Sequence, residues 1–424
     1  MMYKYVIIGG SAAAVGAVEA IREIDTSGTI AVASNESLLA YSRPMIGEYL
    51  AGEVSSDKMM YRTPEFWNLE KVETLSVKAL KVNLDGKSVQ LDGNEEIGYE
   101  KLLIATGSRP ALPKIDGIDK EGVFGFNTLA DAAALRSQVQ MAKKAAIIGG
   151  GLIGVCAAEA LAKLGLQVTV VELREHILSL LLDNSASEIV EAAIRKKDVT
   201  IITGHSVQQI RGRDDSGNKA DAIILDNGEI ISCDVVVIAI GVSPCNELVR
   251  GTKIETNRGI KIDRFMRTSV PDVYACGDVA EAYDFILSEN RVLPQWPTAY
   301  SSGKIAGYNM AGISTQYPGG TVMSAMKYFD VPIVAIGTTN PKDGNEYQIL
   351  TSRDPEAGSY RKIVLKNGKI KGLILIGDIE KAGIFFHLMS ESVNVDDFKE
   401  QLLSEGFGLI SLPEQLRRTM LSEV

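Results

Sequence analysis

The chain opens on an apolar run, YKYVII, that stops at two glycines and passes into an alanine-rich helical pattern, SAAAVGAVEAIREI. Residues 144–165 repeat the plan: KAAII, three glycines, then LIGVCAAEALAKLG. A short unbroken apolar run predicts a strand buried on both faces, and strand, glycine turn and helix together open a dinucleotide-binding unit. The later halves correspond too. KLLIATGSRP (101–110) and VVVIAIGVSP (235–244) are apolar strands ending in Gly and, three residues on, Pro. Each follows hairpin signals, LDGKSVQLDGNEEI in one copy and AIILDNGEIISCD in the other, where Asp-Gly and Asn-Gly supply the positive φ of a tight turn. The pattern therefore predicts an α/β protein with two tandem Rossmann-like domains, each bearing a small antiparallel insertion. Residues 319–424 lack a third glycine loop. Their short strands, a hairpin at Lys366-Asn367-Gly368-Lys369 and a helical stretch VDDFKEQLLSEGF predict a C-terminal α+β domain.

The two glycine loops differ. In the fingerprint G-x-G-x-x-G the first glycine makes the turn, the second admits a pyrophosphate and the third lets helix and strand pack. The second loop is complete, with Gly149, Gly151 and Gly154 around Leu152 and Ile153. The next strand, QVTVVE, ends in Glu172, whose carboxylate suits a ribose with two free hydroxyls and repels a 2′-phosphate; NADH is favoured over NADPH, slightly less so with Arg174 two residues on. The first loop keeps Gly9 but has Ser11 and Ala14 at the later positions, with Ala12 and Ala13 between. The strand after it carries Ser34 where the ribose acid would stand, and Glu36 two residues later. By itself this loop reads either as a phosphate site, in which Ser11 donates a hydroxyl, or as a unit that binds nothing.

Composition narrows the class. Of 424 residues, 46% are hydrophobic and 23% charged, which excludes a disordered chain. The net charge, 44 − 54 = −10, argues against nucleic acid as a partner. The N-terminus runs straight into a strand pattern without a signal-peptide core, and no apolar run approaches the ~18 residues of a membrane span. A cytoplasmic protein with no membrane association is expected. The four cysteines, Cys156, Cys233, Cys245 and Cys276, form no CxxC pair and fit neither a zinc site nor an iron–sulfur cluster; no metal is expected. His176, His205 and His387 are scattered and read as surface or loop residues.

With these motifs in order, nearly the whole chain resembles the two-dinucleotide flavoprotein reductases and is similar to glutathione reductase in domain plan. TSVPDVYACGDVA (268–280) resembles that family's second FAD motif, which implies that Asp278 holds the ribityl–pyrophosphate part and Gly277 allows close approach. The resemblance implies that ATGSRP, with Ala105, Thr106 and Gly107, closes the FAD domain, and Gly241 is its counterpart in the second unit. WPTAYSSGKIAGYNMAG (296–312) resembles the helix near the flavin ring and begins with Trp296 and Pro297. The joined motifs imply that the first loop, with Gly9, Ser11, Ala12, Ala13 and Glu36, binds FAD. The implied domains are 1–112 with 246–318 for FAD, 113–245 for NADH, and 319–424 for completing the flavin pocket or a dimer interface.

YSRPMIGEYLAG (41–52) lies where disulfide reductases keep a redox cysteine and has none. It resembles the branch of NADH:rubredoxin reductases and nitrite reductase flavin modules, matched by Arg43 and Pro44, as does LKNGKIKGLILIGDIEKAGIF (365–385). The resemblance implies an NADH-dependent flavoprotein that takes a hydride onto FAD and passes electrons to a one-electron carrier, a rubredoxin, a ferredoxin or a partner's iron–sulfur centre. Arg43 either binds the flavin, stabilising charge on its reduced ring, or only caps its loop. An oxygen-consuming NADH oxidase and a non-catalytic flavin subunit of a larger redox complex are the rival readings. Arg361, Lys362, Lys366, Lys369 and Lys371 offer a basic patch for an acidic carrier, or else lysines that protect an exposed sheet edge. Many relatives carry Glu where Cys156 stands, so Cys156 is either packing or a sign of altered nicotinamide binding.

Overall fold

A computed structural model describes residues 1–36, 40–213, 217–342 and 344–422. The chain divides into two compact units, one of Met1–Ala111, Asn127–Arg136 and Gly241–Thr321, the other of Leu112–Phe126, Ser137–Ile240 and Val322–Val424.

In the first unit, strand Met2–Ile8 pairs in parallel with Ile30–Ser34 on one side and Glu96–Ile104 on the other, so that Ile8 lies opposite both Ala33 and Ile104. Val6 and Ile7 are fully buried, as a strand covered on both faces requires. Val72–Ser76 extends the sheet beyond Ile30–Ser34, and Val273–Ala275 pairs in parallel with Glu96–Ile104. The hairpin strands Ala79–Asn83 and Ser88–Leu91 join this same sheet antiparallel, through the start of Glu96–Ile104. Helix Ala12–Ile24 packs along helix Trp296–Met310 at backbone contact. A Cβ on Gly16, Gly303 or Gly307 would collide with the carbonyl oxygen of Tyr300, Ala13 or Ala17.

The second unit repeats the parallel core in the order Thr200–Thr203, Gln167–Glu172, Lys144–Ile148, Val235–Ile238, Val123–Gly125. Its hairpin strands differ from those of the first copy. Val207–Arg213, Lys219–Leu225 and Ile230–Ser232 form a separate three-stranded antiparallel sheet. The same unit contains the C-terminal five-stranded antiparallel sheet, ordered Met323–Tyr328, Val331–Gly337, Lys369–Ile376, Ser359–Lys366, Gln348–Asp354.

This sheet corrects two expectations. The Lys366–Lys369 hairpin joins two central strands, so its lysines guard no edge. Arg361 and Lys362 are 8% and 6% exposed and are not part of a basic surface patch. Arg361 donates to the Leu402 and Ser404 carbonyls and pairs with Asp378, while Lys362 pairs with Asp183. The stretch VDDFKEQLLSEGF is also not a regular helix; only Lys399–Leu403 forms a 3-10 turn. Its Val395, Phe398 and Leu402 have the spacing of a helix face and are buried, but the Val395 amide donates to Gly368 O and the Asn394 side chain accepts from the Asp396 amide. The Asn394 bond is a local competitor of the helix, and the Gly368 bond ties the Val395 amide to the distant hairpin turn. The helices of this region are Ala382–Ser390 and Glu414–Ser422.

Candidate functional site

The first glycine loop joins the central strand to its helix through a sharp turn. Gly9 has φ +113°, its amide donates to the Ala33 carbonyl at 2.8 Å, and a Cβ there would strike the Ala105 carbonyl oxygen. The Ala105 amide closes the contact by donating to Ile8 O at 2.8 Å. Ser11 occupies the N-cap position in extended conformation, with no hydrogen bond from its side chain to the helix. The opening amides at Ala12 and Ala13 thus remain available to an anion at the positive end of the helix. Ala14, which stands at the position of the third glycine, is fully buried.

Tyr41, Arg43 and Glu36 form a network over this loop. Arg43 begins a 3-10 turn, Arg43–Met45, in which the exposed Pro44 sets the backbone. Its guanidinium pairs with Glu36, donates to Asn127 O at 3.0 Å and reaches Ser11 Oγ at 3.4 Å. The Tyr41 hydroxyl donates to the other Glu36 oxygen at 2.8 Å, and the Arg43 guanidinium lies 5.3 Å from the Tyr41 ring centre. Burial opposes the charge on Arg43, but Tyr41 and Glu36 outweigh it and raise its pKa. Glu36, expected among the FAD-binding residues, is held by this network. Ser34 accepts from the Glu36 amide.

The later FAD-motif residues converge in the same unit. Asp278 follows Gly277, whose φ is +71°. Burial pushes the Asp278 carboxyl up, against the Ser108 hydroxyl that donates to it at 2.7 Å and the nearby Arg43 charge. Thr106 donates to the Cys245 carbonyl at 2.7 Å, and the Cys245 amide donates to Gly107 O. The two similar segments meet here: Ser108–Pro110 pairs antiparallel with Val242–Pro244, and Gly241 O accepts from the Ala111 amide. Helix Trp296–Met310 starts nearby, with Pro297 in its first turn and Ala299 against Gly277. Trp296 stacks on Tyr300, with ring centres 5.9 Å apart, and meets Tyr61 edge-on at 5.0 Å. Trp296 Nε1 and the Tyr61 hydroxyl are buried without a hydrogen-bond partner.

The second loop is tighter. A Cβ on Gly149 would strike the Ala239 carbonyl, and one on Gly154 the Gly149 carbonyl, while Gly151 faces open space. Helix Leu152–Lys163 begins there, with Leu152 and Ile153 half-buried in its first turn. The Gly150 amide donates to one Glu172 oxygen at 2.6 Å and the Arg174 amide to the other at 2.9 Å. This fixes the carboxylate at the strand end and leaves lone pairs for hydroxyl donors.

Comparison with known proteins places the chain. Residues 3–303 match the family profile "Pyridine nucleotide-disulphide oxidoreductase". The chain belongs to that family. Residues 323–393 also match the "Rubredoxin NAD+ reductase C-terminal domain". It is 30% identical to the NADH-dependent phenylglyoxylate dehydrogenase subunit epsilon of Aromatoleum evansii, over 95% of this chain and 94% of that one. It is 28% identical to the assimilatory nitrate reductase electron transfer subunit of Bacillus subtilis, over 94% of this chain but only 51% of that longer protein. The crystal structure of the NADH:rubredoxin oxidoreductase from Clostridium acetobutylicum superposes with a TM-score of 0.76 at 26% identity, over 94% of this chain and 98% of that one.

As a member of this family the protein is an oxidoreductase that works with FAD and NADH. The residues fit both. Uncapped amides at Ser11, Ala12 and Ala13 suit the FAD pyrophosphate, and the half-buried Asp278 carboxyl, with Ser108 beside it, suits the hydroxyls of a ribityl chain. Gly151 and Glu172 suit NADH in the same terms. The thiols are poorly placed for relay chemistry. Cys276 is buried and its thiol is pushed up by that burial. Cys233 is pushed up to about 12 by burial and then by Asp234 and Asp221, and Cys245 is raised by burial and then by Glu247. Cys156 sits half-buried on helix Leu152–Lys163. Among the described residues no acidic, histidine or cysteine cluster could hold a metal, and no helix is long and apolar enough to cross a membrane.

Sequence reasoning placed both loops and named Arg43 and Glu36, but missed the network that joins these two over the first loop. Ser108 lay in plain view inside ATGSRP, and the Tyr41–Glu36 pairing could be suspected from a carboxylate near a Tyr-x-Arg run. The Asn127 carbonyl carried no signal, because any residue supplies one.

Proposed function

We propose that this protein oxidises NADH and delivers the electrons one at a time to a small iron–sulfur or rubredoxin-type carrier. The first unit, with Gly9, Ser11, Arg43, Thr106 and Asp278, holds FAD, and the loop of Gly149, Gly151 and Gly154 with Glu172 holds NADH. When bound, FAD supplies the chemistry, accepting two electrons together and releasing them singly. The chain binds and orients. Arg43 spans Ser11, Glu36 and Asn127 and so holds the 41–45 turn over the phosphate loop. The raised Asp278 carboxyl is stabilised by donors that a polyol brings.

The observation that carries the choice of acceptor is the match of residues 323–393 to the C-terminal domain of rubredoxin reductases. The cysteine-free segment 41–52 supports it by removing a thiol route. Anaerobic titration of the FAD-loaded protein with NADH tests the first step, with bleaching of the flavin band at about one equivalent expected. Adding a rubredoxin or a ferredoxin with cytochrome c as final acceptor tests the second. Turnover with oxygen at a rate matching the carrier would replace the reading by an NADH oxidase.

A second reading is favoured by two relatives whose names describe subunits, one of them similar over 94% of its own length. Here the chain delivers electrons within a larger redox complex. Co-purification of a stable partner carrying iron–sulfur centres, with slow transfer to free carriers, would select it.

A further inference from the structure

The C-terminal sheet grips the second glycine loop's surroundings at three separate points. The Tyr328 hydroxyl, at the end of strand Met323–Tyr328, donates to Leu152 O at 3.1 Å in the first turn of the NADH helix. One residue on, the Phe329 amide donates to the Glu159 carboxylate of that helix at 3.2 Å. Asn340 donates to the carbonyls of Leu182 at 2.7 Å and Ser179 at 3.4 Å, within the segment that follows Glu172. Lys362, on the central strand Ser359–Lys366 and 6% exposed, pairs with Asp183 at 2.9 Å and also reaches Asn340 Oδ1 at 3.2 Å. Asp183 is the N-cap of helix Asn184–Arg195 and accepts from Ala186 N.

The segment so anchored belongs to the nucleotide loop. Its first residues hold Glu172 through the Arg174 amide, and its middle donates from Leu178 N to Gly150 O at 2.7 Å. Arg174, His176, Ser179, Asp183 and Asn340 line one open groove of about 570 Å³, so the C-terminal domain contributes a wall beside the ribose carboxylate. A buried ammonium in a fixed carboxylate–amide cage is a costly way to join two surfaces and a precise way to fix their register.

We propose that Lys362, Asn340 and Tyr328 of the C-terminal domain are positioning residues for NADH, setting the phosphate helix and the 173–183 segment through which Glu172 meets the ribose. The inference rests on the assignment of NADH to this loop. The test uses anaerobic stopped-flow reduction of FAD-loaded protein by NADH, separating Kd from the limiting rate. Asn340→Ala and Lys362→Met are expected to raise the Kd about tenfold and to change the limiting rate less than about twofold, with Lys362→Arg restoring most of the affinity. Tyr328→Phe, which deletes one hydroxyl, is expected to raise the Kd about threefold. Should Lys362→Met fail to fold, Asn340→Ala and Tyr328→Phe carry the test. Unchanged Kd in folded, FAD-loaded variants would overturn the inference. Glu172→Ala is the control. If it weakens NADH while the C-terminal variants do not, only the positioning role falls; if it leaves NADH affinity unchanged, the nucleotide assignment itself falls.

Discussion

Arg43 shows how much one side chain can hold. Its three contacts tie the phosphate loop, the end of the second strand and residue 127 to one planar cation. Lysine offers a point charge in its place. Arg43→Ala is expected to weaken FAD retention about tenfold, read as flavin absorbance per protein after dilution, with Arg43→Lys only partly restoring it. Asp278 acts in the opposite sense. Burial raises its folded-state pKa, so its contribution to stability is fully present below the ordinary aspartate range and is lost as pH rises through the raised value. Asp278→Asn should therefore raise the melting temperature of the flavin-free protein at neutral pH while lowering its flavin content, two readings from one thermal scan series. The cysteines bear on the acceptor. With Cys233, Cys245 and Cys276 held as neutral thiols, Cys156→Ala should leave flavin reduction by NADH unchanged, and a large drop would give that thiol a role.

At the level of elements, the parallel strands and both helices were legible because buried runs and glycine turns are local signals. The destination of the hairpin strands was not. LDGKSVQLDGNEEI and AIILDNGEIISCD read alike, yet one joins the main sheet and the other forms its own. The difference lies in which edge is free to pair, and a single sequence does not display edges. The basic run of the C-terminal domain misled for a related reason. Arg361 and Lys362 are adjacent on a strand and so face opposite sides, and each, itself buried, finds a partner distant in sequence: Asp378 and the 402–404 carbonyls for one, Asp183 for the other. The helix pair of the first unit offers a direct packing test. Gly303→Val drives two methyl groups toward the Ala13 backbone, and a loss of about 3 kcal/mol by chemical denaturation is expected, together with loss of FAD.

On the scale of the whole molecule, the family was legible from motif order and its electron acceptor was not. The absence of a cysteine in residues 41–52 excludes a relay at that position without naming what replaces it. The discriminating measurement is the ratio of carrier reduction to oxygen consumption under one NADH concentration. The reductase reading predicts a ratio well above one, and a ratio near zero would remove it.

The glycine seam between helices Ala12–Ile24 and Trp296–Met310 also bears on the order in which the protein can be made. The helix that follows Gly9 leaves the ribosome well before its packing partner, which is nearly three hundred residues behind it. Until Met310 has emerged, Gly16 and the small residues around it have no surface to meet. The parallel core of residues 123–238 is complete in sequence before that moment and can fold ahead of it. Under the proposed assignment, folding would then follow the same order as the electrons, with the loop of Gly149 ready before the loop of Gly9.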